Sequence, residues 1–198
     1  MTRVKTRIAA GPAVGLLLLA TAACSSTPGT PAPAASAAPS SSSPSVPKVN
    51  APLDAAKYEQ NPCALLSSAQ ATEVIKSVRN RQGKGLVGPI CTWNDADSNS
   101  VAVGLVPGQG GLASSYAYRD SAAGYFQVAP DVNGYPAVYT SPSDDRKNGG
   151  CQAVVGIKDD ETLTSSVLLD KTSPDYRDPC SLAAKAAAAA VATIKAGA

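Results

Sequence analysis

The 198-residue chain contains no histidine at all. That removes Ser-His-Asp and Cys-His catalysis, imidazole metal sites and the commonest general base near neutral pH. No two of its five cysteines stand at the short C-x₂₋₄-C spacing of a structural zinc site, so metal ligation has no obvious donor set. Its one long apolar run, Ile8 to Ala20, is too short to span a bilayer, which takes about 20 residues. The glycine-rich stretch Pro107-Gly108-Gln109-Gly110-Gly111 matches neither G-x-G-x-x-G nor G-x-x-x-x-G-K-[ST] and reads as a strand-to-helix turn. No cofactor is implied by any of these patterns.

What is present begins at the N-terminus. Arg3, Lys5 and Arg7 precede the apolar run, and small residues lead into Cys24. A basic start, a short apolar core and small residues before a cut define a secretory signal over residues 1–23. Thr21-Ala22-Ala23-Cys24 resembles the lipobox of bacterial lipoproteins, with Thr21 where that pattern usually has Leu. The resemblance implies acylation of Cys24, which becomes the mature N-terminus. The expected address is the extracytoplasmic face of the cell membrane, held by diacylglyceryl and acyl chains, since two or three chains anchor stably where one does not. An ordinary cut near Ala23 with an unmodified cysteine is the alternative. With 17 basic and 15 acidic residues in all, losing the three basic residues of the leader makes the mature chain formally −1. The alkaline pI of about 8.3 belongs to the precursor and argues for no nucleic-acid or phospholipid affinity.

Residues 24–52 are rich in Pro, Ser and Ala, with Lys48 the only charge. Such a segment has too little apolar surface to fold, and reads as a disordered tether. Its reach is roughly 30 to 90 Å between coil and polyproline limits.

Residues 53–198 are one domain's worth of chain. Cys63, Cys91, Cys151 and Cys180 remain there, an even number in an exported chain, which argues for two disulfides. Four cysteines allow three connectivities; the near-equal separations favour Cys63–Cys91 and Cys151–Cys180 without deciding the matter. Asn61-Pro62-Cys63 and Asp178-Pro179-Cys180 both look like helix starts, with Pro at the first helical position. Ser67-Ser68-Ala69-Gln70 forms a capping box for a helix carrying Ala71, Val74, Ile75 and Val78. Arg79 to Gly88 reads as a basic, glycine-rich loop. Strands are expected over Cys91-Thr92-Trp93, 101–106, 125–129, 135–140, 151–157 and 163–169, with a hairpin at Asn133-Gly134. A short helix follows the glycine turn from Leu112 to about Asp120. In the last helix Leu182, Ala183, Ala187, Val191 and Ile194 share one side. The expected class is α+β, an antiparallel sheet with helices packed on one face.

Taken together and in order, the two Asx-Pro-Cys helix starts, Cys91-Thr92-Trp93, Gly150-Cys151 before an alternating valine strand, and Val132-Asn133-Gly134-Tyr135-Pro136-Ala137 resemble the actinobacterial DUF3558 lipoproteins. The resemblance covers roughly residues 53–196 and implies an envelope lipoprotein with two disulfides. It brings no active site.

Two further groups of residues bear on chemistry. Asp144-Asp145 and Asp159-Asp160-Glu161 have the residue types for calcium binding or acid–base work, but lie among Ser, Gly, Asn and Lys without ligand-loop spacing, and read as solvated turns. Tyr116, Tyr118, Tyr125, Tyr135 and Tyr139 crowd with Phe126 into residues 116–139, about one sixth of the domain, and tyrosine suits an interface or cleft. Three readings follow. The first is a non-enzymatic binding module for an envelope protein, glycan or lipid. The second is a ligand-sensing or carrier domain with an apolar cavity between helices and sheet. The third is a hydrolase whose carboxylates converge in a cleft.

Overall fold

The computed structural model describes residues 45–120 and 123–197. The leader, Cys24 and most of the tether lie outside the described residues.

The elements in chain order are α1 (Ala56–Glu59), a 3₁₀ turn (Pro62–Leu65), α2 (Ser68–Ile75), β1 (Arg79–Lys84), β2 (Pro89–Asn94), β3 (Ser100–Val106), α3 (Gly111–Ala117), β4 (Tyr125–Val132), β5 (Tyr135–Ser141), β6 (Gly150–Gly156), β7 (Thr162–Leu168) and α4 (Pro179–Ala196). The strands form one antiparallel sheet in the order β1-β2-β3-β7-β6-β5-β4. The chain thus builds β1 to β3 as one meander, crosses the sheet through α3, and returns as a second meander whose last strand, β7, pairs with β3. The α+β class and the antiparallel sheet are as expected from the sequence.

Strand alternation divides the apolar residues between two faces. Trp93, Val101, Val103, Val155, Leu163 and Val167 belong to the main core, together with the Leu182, Ala183, Ala186, Ala187, Ala190, Val191 and Ile194 side of α4. Burying a branched side chain such as Ile194 contributes about 2 kcal/mol. The alanines between the larger residues let α4 lie close to the sheet. The Ser67–Gln70 capping box is formed in both directions, and Gln70 also donates to Ala189 O at 3.0 Å, so one side chain starts α2 and joins it to α4. Both disulfides, Cys63–Cys91 and Cys151–Cys180, tie a helical start to a strand.

Four local expectations need correction. Residues 79–84 form an edge strand, β1, rather than a loop: the chain turns back at Gly85–Gly88, where the Gly85 N–H donates to Gly88 O at 2.8 Å, and pairs in unbroken register with β2. All six residues are exposed, so no apolar alternation marks the strand. α2 stops at Ile75, because Lys76 takes a left-handed conformation (φ 50°), and Val78 lies outside the helix, exposed. The helices do not all share one face. α3 packs on the opposite side, where Leu112 and Tyr116 meet Val138 and Val154. Finally, the end of the expected tether lies on the domain. Lys48 and Val49 bond Asp159, Tyr135 donates to Ala51 O at 2.8 Å, and Leu53 N–H donates to Ile157 O.

Candidate functional site

The opposite face of the sheet is only half covered. α3 sits over β5 and β6, and its place is fixed at one end by Gly111, whose φ is +58° and whose Cβ, were there one, would press into the carbonyl of Asp159. Beyond α3, the exposed side of β3 and β7 carries small residues: Ala102, Gly104, Thr162, Thr164 and Ser166. At Gly104 the Ile90 side chain crosses the strand so closely that an added Cβ would stand 2.8 Å from it. Short side chains leave room in front of the sheet.

That room is a groove of about 420 Å³, within the range of small-ligand sites. Ala102, Val154, Thr164 and Ser166 line its floor, the Gly85–Gly88 turn one wall and Ser114 and Ser115 of α3 the other. None of the residues that line it is charged. The Ser166 hydroxyl donates to the Gln152 carboxamide oxygen at 3.2 Å and the Thr164 hydroxyl reaches Gly104 O at 3.4 Å. The side-chain Nε2–H donors of Gln152 have no partner among the described residues. The groove therefore offers apolar contact with a few hydroxyl and amide hydrogen bonds.

A second cleft, of about 730 Å³, opens between β4 and the start of α4 and includes Tyr139, Arg146, Arg177, Asp178 and Lys185. Most of its charges already serve the fold. Arg146 grips Asp144 through two bonds of 2.8 and 2.6 Å, holding that carboxyl down to about 2, and lies 4.2 Å over the Tyr125 ring. Lys185 donates to Glu73 O, and the Asp178 side chain caps α4.

The five tyrosines do not converge. Tyr116 is buried under α3, edge-on to Phe126 with ring centres 4.9 Å apart. Tyr118 is exposed, at the end of α3. Tyr125 and Tyr135 are buried on the α4 side. The Tyr125 oxygen accepts the Gln152 N–H at 2.9 Å, and burial pushes its hydroxyl pKa up. Tyr139 is half-buried in the second cleft; burial first, then the Asp178 charge, raises its pKa.

The acids are likewise apart. Asp145 accepts from Ser143, Asp159 holds the N-terminal strap of residues 48–53 through Lys48 and Val49, and the buried Glu161 pairs with Lys158 at 2.7 Å. Among the described residues no three or more Cys, Asp or Glu gather to hold a metal ion.

Sequence reasoning passed over the groove. Its signal is faint but present: between Val106 and Leu168 at the strand ends, the positions of β3 and β7 that alternate with the buried valines and leucines are Ala, Gly, Thr and Ser, rather than long polar residues.

Compared with known proteins, residues 19–193 match the model of a family described as "Protein of unknown function (DUF3558)". No curated protein and no solved structure matches the chain.

Proposed function

The chain belongs to the DUF3558 family, and from that premise we propose that it is a lipid-anchored protein of the extracytoplasmic membrane face whose domain binds an envelope component without transforming it. The observation that carries the binding reading is the uncharged groove in front of β3 and β7. A lining of small aliphatic, hydroxyl and amide groups suits a neutral segment of peptide, glycan or lipid. A hydrolase reading has no support there, since a carboxylate pair needs two acids roughly 5–10 Å apart in the cleft, and the groove has none. The anchor reading rests on Thr21-Ala22-Ala23-Cys24 behind its basic, apolar leader. A carrier role is the second reading, favoured by the groove's volume; its cavity would lie in front of the sheet rather than beneath the helices.

Two measurements test the proposal separately. The exported product should enter the detergent phase on partitioning and carry acyl mass on Cys24; an aqueous-phase product with no added mass overturns the anchor. A photo-crosslinker at Ser115 should trap a component of the envelope, and Ser166→Trp, which fills the groove, should abolish that product while leaving the thermal midpoint unchanged. Identical crosslinking by the filled variant overturns the groove as the binding site.

A further inference from the structure

Residues 74–94 contain Lys76, Arg79, Arg81 and Lys84 and no acid. The rest of the domain is the reverse. Outside residues 53–198 lie Arg3, Lys5, Arg7 and Lys48, so the domain holds 13 bases against all 15 acids. This stretch, from the end of α2 through β1 to β2 and bounded by Glu73 and Asp95, is thus locally positive in a domain that is otherwise net negative. Among the described residues none of these four cations enters an ion pair, whereas Lys48, Arg119, Arg146 and Lys158 each do.

The edge is long and bare. β1 pairs with β2 alone and is exposed throughout. The Gly85–Gly88 bond sets the phase of the ladder, so Arg79, Arg81 and Gly83 bond β2 while Asn80, Gln82 and Lys84 turn their N–H and C=O groups outward. Charges on an edge strand guard against pairing with another chain, and that accounts for the arginines. It does not account for the apolar residues beside them. Val78 at one end is 65 % exposed, and the turn at the other end holds Leu86 and Val87, 104 % and 54 % exposed. A tight turn ordinarily takes Gly, Asn or Asp at its centre.

The placement of this strip supplies the second observation. Strand register puts the Leu86-Val87 turn, the end of β3 at Val106, the start of β7 at Thr162 and the β6–β7 turn at one end of the sheet. The N-terminal strap joins that same end, through Val49 to Asp159 and Leu53 to Ile157. The acids of the β6–β7 turn stand three strand spacings away, about 14 Å, beyond the roughly 8 Å over which charges act at physiological salt.

We propose that the β1 edge and its Leu86-Val87 turn form a second membrane contact, in which Arg79, Arg81 and Lys84 meet anionic lipid headgroups and Leu86 and Val87 enter the interface. This rests on the anchored reading for its location, not for its chemistry. An interfacial contact combines apolar burial with attraction to anionic lipid, and β1 presents both along about 20 Å of edge. An acidic peptide adding as a strand would use the outward groups of Asn80, Gln82 and Lys84 and leave Leu86 in water. The bilayer accounts for the charges and the apolar turn together.

The test uses the full chain purified from membranes and returned to vesicles, with Leu86→Cys or, at the far end of the sheet, Ala96→Cys carrying a fluorophore. On phosphatidylglycerol–phosphatidylcholine vesicles a lipid-borne nitroxide should quench the label at 86 and spare that at 96. Arg79→Ser and Arg81→Ser should each weaken the contact about fivefold, and raised salt or pure phosphatidylcholine should largely abolish it. Equal quenching at both positions, or quenching indifferent to lipid charge and to the arginines, overturns the proposal. So does protection of position 86 by soluble polyglutamate without lipid. Failure of the anchor shows itself differently, as a chain that no longer sediments with the vesicles. A chain so released upholds the proposal if anionic vesicles still quench its label at 86, and overturns it if they do not.

Discussion

The backbone N–H of Val49 donates to Oδ1 of Asp159 at 3.1 Å, and this bond fixes the end of the sheet from which the N-terminal strap departs. Lys48 reinforces it from the other carboxylate oxygen at 3.3 Å. Residues 48 and 49 therefore lie beside the β6–β7 turn, at the end of the sheet that carries Leu86.

Acid should release the strap. The Val49 N–H first and Lys48 second hold the Asp159 carboxyl below its usual range. A carboxyl with a depressed folded pKa contributes fully above its unfolded value, about 3.9, and loses its contribution as pH falls through the lower folded value. Hydrogen exchange across residues 45–53, expressed relative to the intrinsic rate of the unfolded chain at each pH, should thus be steady from neutrality down to about pH 4 and rise steeply below it. Asp159→Asn should show the fast exchange already at neutral pH, with global stability nearly unchanged because the contact is exposed.

Non-reducing peptide mapping should recover Cys63–Cys91 and Cys151–Cys180 and no mixed pair. Replacing either pair by serines should cost about 3–4 kcal/mol in a denaturant titration, the chain-entropy value for loops of this length. A loss well under 1 kcal/mol would show that the unfolded chain is already restrained.

The same substitution at two leucines should separate core from edge. Leu163 is fully buried on the α4 side of β7, and Leu163→Ala should cost about 2–5 kcal/mol. Leu86 touches water on all sides, and Leu86→Ala should leave stability within about 0.5 kcal/mol. Chemical denaturation of the two variants in parallel checks both.

Gln70 should matter more than an ordinary capping residue. Ser67→Ala removes a cap and should cost about 1 kcal/mol. Gln70→Ala removes the reciprocal cap bond and also the bonds to Ala189 and Thr193 on α4. Its cost should exceed that of Ser67→Ala, and a double-mutant cycle with Thr193→Val should show coupling.

The groove should tolerate being filled. Thr164 and Ser166 lie on the uncovered side of the sheet, so Ser166→Trp should leave the denaturation midpoint in place while removing any ligand-dependent rise in it. A variant that unfolds early would instead mark that face as packed.

Local signals in this chain read true. The Ser67–Gln70 box, the Asp178-Pro179 start of α4, the Asn133-Gly134 turn and the Cys91/Trp93 alternation each depend on residues a few positions apart, and each formed as its chemistry requires. β1 escaped notice because Arg79–Lys84 is a strand only through its partner; with both faces in water, nothing in its own composition alternates. The position of α3 could not be read either, since Leu112 and Tyr116 would suit either face of a sheet; in the fold they pack on Val138 and Val154, opposite α4, with Gly111 close against the Asp159 carbonyl. Sequence alone determined the caps of α2 and α4, most of the strands and the buried side of α4, because those follow from periodicity and neighbouring side chains. Tertiary structure alone decided which cysteines pair, which face of the sheet stays open, and that a basic edge, an apolar turn and the departing strap share one end, because each depends on register between segments far apart in the chain.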